Sequence, residues 1–335
     1  MLEELEASAA VRSDLLGAGL PGHKARGISL EGFLKYFPDD RACLNFLFWA
    51  RGGHRLRCRL CGQPTRWIPQ LTTTMFYSAC CKTTLSATRG TMLHKCRLPH
   101  WYWFYTLMLT LSLSASPRVT FLARHLDVSD NTAWHILRKL REQFACICAQ
   151  GSKTLRGQAV FVKTLKIKNV QTARGRHTVP VSVLAIATDR NAFAYVMPRR
   201  HPADARRILD ALGVPRTLSV YDVRPRDPLL AVQGYRLEHL TAATRNDDPA
   251  RWRAAANGIR LATYLRYNMS RWPVSVRRSY LQDYLAEFVL RYNFAHDKAM
   301  LFPLFMTSLD RVKYNEKAPP NPAFPRRKHV SAVLS

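Results

Sequence analysis

The stretch from Gly157 to Asp222 constrains this chain most, because strand-like and helix-like segments follow one another in it in a definite order. Four runs are rich in β-branched and aromatic residues, and a run with helical spacing lies between the third and the fourth. The strand-like runs are 157–168, 177–188, 192–197 and 217–222, and the helix-like run is 202–212. The last strand ends in the carboxylate of Asp222, whereas residues 143–188 contain no Asp or Glu.

Three strands, a helix and a further strand that ends in a carboxylate form the order of an RNase H-like core. We therefore predict an α/β protein whose RNase H-like domain is a mixed sheet flanked by helices. That fold holds catalytic metal ions on carboxylates at the ends of its strands. The first strand of this chain carries no carboxylate, so the usual metal site is incomplete in the sequence.

The net charge of +28 over 335 residues favours a polyanionic partner, and we expect that partner to be nucleic acid. A membrane surface is disfavoured, because the basic residues are spread along the chain and not along one amphipathic helix. No segment reaches 18 uninterrupted apolar residues, and the N-terminal residues are acidic, unlike a signal peptide. We expect a cytoplasmic, nucleoid-associated protein that does not enter a membrane.

A Cys-x-x-Cys-Gly knuckle begins at Cys58, and two thiolates in such a knuckle can hold one zinc ion. A zinc ribbon needs a second knuckle about fifteen to twenty residues further on. There the chain has two adjacent cysteines, and Ser78 stands where the first thiol would be expected. We predict a zinc-ribbon-like module with structural zinc; the alternative is a metal-free β-hairpin module with buried thiols. The candidate ligands are Cys58, Cys61, Cys80 and Cys81.

Two helix-like runs over 119–126 and 130–141 are joined by three residues, which is the spacing of a helix-turn-helix. Ser129 or Asp130 can cap the second helix. A plain helical hairpin is the alternative. The side chains of the second helix that we expect to reach bases or phosphates are Asn131, Thr132, His135, Arg138 and Lys139.

Helical spacing also predicts helices over 30–49, 247–267 and 276–294. We expect five regions in the chain. They are a poorly determined N-terminus (1–29), a helix with the zinc-ribbon-like module (30–96), a helical region with the helix-turn-helix (97–150), the RNase H-like domain (151–300) and a basic, Pro-rich tail (301–335).

Taken in order, the motifs of residues 30–296 resemble bacterial insertion-sequence transposases of the ISXO type. These have an N-terminal zinc ribbon and an RNase H-like DDE domain. The run from Tyr284 to Asn293 is the most specific motif of the set. The motifs are Cys58-x-x-Cys61-Gly, Thr88-Arg-Gly-Thr91, Leu98-Pro, Trp103-Phe104, Ala133-Trp134, Asn257 and Tyr284-Leu-Ala-Glu-Phe-Val-Leu-Arg-Tyr-Asn293.

The resemblance implies three metal-binding carboxylates, of which this chain keeps one. The family's Asp-Glu pair falls on Val162 and Lys163, and its third acid falls on Arg260, whereas Asp222 matches the second Asp. Strand cleavage in the family is implied to use two divalent ions. Cations at Lys163 and Arg260 would repel such ions.

We therefore expect a transposase-derived protein that binds double-stranded DNA and has lost strand cleavage and strand transfer. The alternative is an active, metal-dependent transposase that uses Mg²⁺ or Mn²⁺ on a displaced set of acids, so the sequence leaves enzymatic activity open. A basic, RNA-associated protein is a third interpretation. The resemblance also implies a homodimer, because active relatives pair DNA ends. The acids that could substitute are Asp189, Glu238, Asp247 and Asp248.

Overall fold

The computed structural model divides the chain into two units, which are described separately. The first unit comprises Met1–Gln143 and Phe294–Lys317, and the second comprises Phe144–Asn293 and Ala318–Ser335. The predicted boundaries of the five regions stay predictions. The residues that the structure describes are 30–53, 56–70, 73–113, 116–155, 160–171, 178–199, 201–220, 227–240, 248–270, 276–295 and 301–309.

The described part of the first unit consists of helices and one small sheet. The predicted helix over 30–49 is wrong in its middle, because Pro38 cannot continue a helix and Asp39 caps a new one by accepting a hydrogen bond from the Ala42 N–H at 2.7 Å. The elements are α1 (Leu30–Leu34), α2 (Asp40–Ala50), β1 (Trp67–Pro69), β2 (Met75–Ser78), β3 (Thr84–Ser86), α3 (His100–Ser112), α4 (Val119–Leu126), the start of α5 (Asp130–Gly151) and α9 (Leu301–Ser308).

Strands β1, β2 and β3 form an antiparallel sheet in that order. The sheet has its own apolar cluster, in which the Phe48 and Phe76 rings stack with their centroids 3.9 Å apart. Trp67 joins this cluster and donates its indole N–H to the Leu56 carbonyl at 3.0 Å. The small module thus has an apolar core beneath the two loops that carry its cysteines.

The second unit is built on a five-stranded mixed sheet with the order β6-β5-β4-β7-β8. Neighbours β4–β5 and β5–β6 are antiparallel, whereas β4–β7 and β7–β8 are parallel. This order confirms the predicted RNase H-like fold, a mixed sheet flanked by helices. The elements are β4 (Phe161–Gln171), β5 (Thr178–Ala187), β6 (Ala192–Met197), α6 (Pro202–Leu212), β7 (Thr217–Val220), β8 (Arg236–His239), α7 (Pro249–Ser270) and α8 (Leu281–Asn293).

Helix α7 lies close against β4 at Gly258. A Cβ added to Gly258 would meet the Phe161 ring, with Cε1 at 2.8 Å, and would lie 3.3 Å from the Ala187 Cβ. Phe161 is fully buried and pairs with Ala187 across β4 and β5. Only a residue without a side chain fits between this helix and the sheet.

Helix α8 is hydrogen-bonded to the outer edge of β6 through two amide side chains. Asn293 accepts from the Ala192 N–H and donates to its carbonyl, both at 2.9 Å. Gln282 accepts from the Val196 N–H at 2.9 Å and donates to the Ala194 carbonyl at 3.0 Å. These bonds fix α8 along the strand.

Candidate metal centre and nucleic-acid interface

Two loops of the small module have the same backbone geometry. In the first loop, the Gly62 N–H donates to the Cys58 carbonyl at 2.9 Å, and Gly62 has φ +69°. In the second loop, the Lys82 N–H donates to the Ser78 carbonyl at 3.0 Å, and Lys82 has φ +57°. Because a residue with a side chain rarely takes a positive φ, the second loop holds a strained conformation that repeats the first. Each of the two loops therefore has the backbone turn of a knuckle.

The four cysteines predicted as ligands lie together at these knuckles. The Sγ atoms of Cys58, Cys61, Cys80 and Cys81 are all within 4.8 Å of one another. Cys61 Sγ and Cys80 Sγ are 3.6 Å apart. Ser78 occupies the first position of the second knuckle, and its hydroxyl lies 3.7 Å from Cys58 Sγ. Cys80, next to Cys81 in the sequence, supplies the fourth thiol in its place.

The thiols of this cluster strongly influence one another's ionisation. Hydrogen bonds from the Cys61 backbone N–H and the Thr83 hydroxyl lower the pKa of Cys58 to about 5. Contact with the Cys61 thiol, together with desolvation and contact with Cys80, raises the pKa of Cys81 to about 12. Negative charge is thus favoured at one sulfur and opposed at another, and a bound dication would relieve that repulsion.

The arrangement fits a zinc ion. A tetrahedral zinc with Zn–S bonds of about 2.3 Å places its sulfur ligands about 3.8 Å apart. The 3.6 Å between Cys61 and Cys80 matches this spacing, and the largest separation in the cluster needs a shift of about 1 Å. A zinc there would join the two knuckles and stabilise a module that has a small apolar core.

Helices α4 and α5 occupy the two runs predicted as a helix-turn-helix. Asp127 ends α4 with φ +52°, and Ser129 caps α5 by accepting from the Thr132 N–H at 3.2 Å. The predicted end of the second helix at Arg141 is wrong, since α5 continues to Gly151. Its inner side is buried through Ala133, Ile136, Leu137 and Leu140.

The five side chains predicted to contact DNA differ in their surroundings. Asn131 and His135 are exposed and lie one turn apart on α5, and Thr132 is half-buried beside the cap. Arg138 is half-buried, forms an ion pair with Glu142 at 2.9 Å and covers the Trp134 ring. The Lys139 ammonium is half-buried and lies 5.5 Å from the centroid of the Trp103 ring. Asn131 and His135 are therefore the members of this set that are most accessible to a ligand.

The positions that the resemblance assigns to catalytic acids are only partly described. Val162 on β4 is 1% exposed, and Lys163 beside it is half-buried. Arg260 is exposed on α7. Asp222 lies outside the described residues, and so does Asp247.

The remaining candidate acids are tied to arginines. Arg251 forms ion pairs with Glu238 and with Asp248, the latter at 3.0 Å. Asp189 is exposed, with the Arg190 guanidinium 3.9 Å away. Among the residues that the structure describes, the cysteines form the one group of three or more His, Cys, Asp or Glu side chains placed to share a metal ion.

Asp227 is a buried carboxylate that the sequence interpretation missed. It accepts a hydrogen bond from the Thr164 hydroxyl on β4, and its other oxygen accepts from the Leu229 N–H at 3.0 Å. Both oxygens are thus used in fixing the segment that follows β7 to the central strand. The Asp-Pro pair at 227–228 was the available signal, since Asp commonly caps a turn that begins with proline.

The motif from Tyr284 to Asn293 holds the second unit together. Tyr292 donates its hydroxyl to the Asn257 side-chain oxygen at 2.7 Å, and Asn257 donates to the Thr188 carbonyl at 2.9 Å. Glu287 and Arg291 form a buried ion pair at 3.2 Å. Together with Asn293 at β6, these contacts join α7, α8 and the β5–β6 turn. The motif has a structural role in this chain.

No protein-family model and no curated protein matches the chain. Similar solved structures include a pre-cleavage Mos1 transpososome, at 11% identity and a TM-score of 0.24, over 58% of this chain and 74% of that one. They also include the Mos1 strand transfer complex, at 12% identity and a TM-score of 0.21, over the same shares of the two chains. The fold is defined by the strand order and connections given above. No helix in the described part of the chain has the length and apolar character needed to cross a membrane.

Proposed function

We propose that this protein is a transposase-derived protein that binds double-stranded DNA and no longer cuts it. The observation that carries the proposal is the accessible face of α5, where Asn131 and His135 project from the first turns of a capped helix that follows a short turn. Such a helix end can enter the major groove and contact base edges. The charge of +28 supplies the attraction to phosphates.

Selection from a pool of randomised duplexes tests this proposal. We expect the wild type to enrich a sequence, and the combined variant Asn131→Ala, His135→Ala to lose it. One base contact is worth about 1–3 kcal/mol, so each lost contact lowers the affinity by about 5- to 150-fold. His239→Ala is the control, because this exposed histidine lies on β8. Enrichment by the combined variant equal to that of the wild type would refute the assignment of α5.

The proposed loss of cleavage is supported by the residues around β4. Val162 offers no oxygen ligand, and hard divalent ions prefer oxygen. Glu238 and Asp248 are held by Arg251. An ion bound near them would have to displace that guanidinium.

An active metal-dependent transposase is the second candidate, because Asp227 places one carboxylate beside β4. Nicking of supercoiled plasmid in Mg²⁺ or Mn²⁺ separates the two candidates. We expect no metal-dependent nicking by the wild type. Nicking that is abolished by Asp222→Ala or by Asp227→Asn would establish the second candidate.

Structural zinc on the four cysteines belongs to the same proposal, and so do a homodimer and an association with the nucleoid. One zinc per chain is expected by elemental analysis of purified protein. Sedimentation with and without duplex DNA tests the homodimer. The mass of a single chain under both conditions would refute it.

A further inference from the structure

Helix α7 has an unbalanced charge. It carries four arginines and no Asp or Glu between Pro249 and Ser270. The neighbouring helices α6 and α8 each contain both acidic and basic residues. Because surface helices that serve only solubility mix the two signs, this composition calls for another explanation.

One of the four arginines is neutralised within the fold. Arg251, in the first turn of α7, contacts Glu238 and Asp248. The other three are exposed, and none of them forms an ion pair with a carboxylate of the described residues. These three are Arg253, Arg260 and Arg266.

Arg253 and Arg260 lie in one row on the side of α7 that faces away from the sheet, whereas Arg266 lies about 120° around the helix from Arg260. Ala254, Leu261 and Leu265 are buried on the opposite side. Arg253 and Arg260 are seven residues apart, so they lie about 10.5 Å apart along the helix and differ by only about 20° around it. Measured along the axis of a DNA duplex, where each strand places one phosphate about every 3.4 Å, this distance corresponds to about three phosphates. The two guanidinium groups can therefore contact phosphates of one strand.

A membrane surface does not fit this helix. A helix at a membrane interface presents a broad apolar face to the lipid, whereas most apolar residues of α7 are buried against its own sheet, and Ile259 and Tyr267 are the large apolar side chains that it exposes. Guanidinium groups bind phosphate with two parallel hydrogen bonds, and they keep their charge at any physiological pH. The charge and geometry thus favour a phosphate backbone.

We propose that the exposed side of α7, with Arg253 and Arg260 in one row and Arg266 at its edge, binds the phosphate backbone of duplex DNA. This surface belongs to the RNase H-like unit and is separate from the α5 face. The inference rests on the proposed function, because it assigns a second surface to the same partner. The proposal predicts that α7 contributes to the affinity for duplex DNA in a way that depends on the salt concentration and not on the DNA sequence.

The test measures duplex affinity over a series of salt concentrations. The triple variant Arg253→Gln, Arg260→Gln, Arg266→Gln should reduce the slope of log K against log salt by about 2.7, if each arginine neutralises one phosphate. The control triple variant Arg190→Gln, Arg206→Gln, Arg216→Gln removes the same charge from arginines that lie beside carboxylates. Its slope should change less. Melting temperatures check that both variants fold.

The outcomes separate this inference from the proposed function. Equal slopes for the two triple variants would overturn the inference, while sequence-dependent binding that requires Asn131 and His135 would leave the proposed function standing. A reduced slope in the α7 variant together with unaltered binding by the α5 variant would support the inference and overturn the α5 assignment. The wild type could bind structured RNA more strongly than duplex DNA at equal salt, and the α7 variant could lose this binding. That result would show that the partner of α7 is RNA and not duplex DNA. A wild type that binds no duplex at low salt would overturn both.

Discussion

Replacing Gly258 by alanine should destabilise the second unit, although the same change in most helices is favourable. Alanine is preferred to glycine in a helix interior by about 1 kcal/mol. At this position, however, the new methyl group would meet the ring of Phe161, which is fully buried and cannot turn away into solvent. Overpacking of this kind costs about 1–3 kcal/mol. We therefore expect a net loss of about 1 kcal/mol, which lowers the Tm by about 2–4 °C for a unit of this size.

The decisive observation is whether Gly258→Ala lowers or raises the Tm, which is measured by thermal unfolding followed by circular dichroism. Gly151→Ala is the matched control, because a Cβ there would meet the nearest ring at 3.7 Å, an ordinary contact distance. This control should leave the Tm unchanged or raise it slightly. The combined variant Phe161→Leu, Gly258→Ala should lose less stability than the sum of the losses in the two single variants, because the smaller side chain at position 161 makes room for the methyl group. A rise in Tm for Gly258→Ala alone would refute the close approach of α7 to β4.

Three further predictions concern other parts of the fold. Cys61→Ser should reduce the zinc content from about one per chain to near zero by elemental analysis, whereas Cys96→Ser, outside the cluster, should keep it. Burial of the Asp40 carboxyl opposes its ionisation, but hydrogen bonds from the start of α3 outweigh this and lower its pKa. The stability that Asp40 contributes is therefore present at neutral pH and is lost as the pH falls through the lowered pKa, so Asp40→Asn should flatten the acidic part of a Tm–pH curve. Asn293→Leu removes two hydrogen bonds to Ala192 and should lower the free energy of unfolding in urea by about 1–3 kcal/mol; an unchanged value would contradict the role of that amide.

Much of the second unit could be predicted from the sequence, because its elements are short and strongly periodic. The strand 192–197 and the helix 202–212 have the predicted limits. The central strand was harder, since only one apolar residue, Val170, follows its predicted end at 168, between Asn169 and Gln171, and β4 continues to Gln171. The break between α1 and α2 was missed because the apolar spacing continues across Pro38, although the proline and the cap at Asp39 were both visible.

The geometry at the cysteines could be predicted only in part. The first knuckle was evident from its glycine, but the second has Lys82 in the left-handed region, and a lysine gives no sign of that conformation. The contact of Lys139 with Trp103 joins residues that are distant in the chain, so no local pattern reveals it. The ion pair between Arg138 and Glu142 has helical i,i+4 spacing and could have been foreseen.

The amide contacts of α8 determine how the large sheet meets other molecules. The outer edge of a terminal strand normally offers free N–H and carbonyl groups, onto which a further strand from another chain can be added. In β6 such groups at Ala192, Ala194 and Val196 are already occupied by Gln282 and Asn293. A second copy of the chain can therefore extend the sheet at β6 only if α8 first detaches. The helix thus protects this edge against the strand-by-strand growth that leads to aggregates.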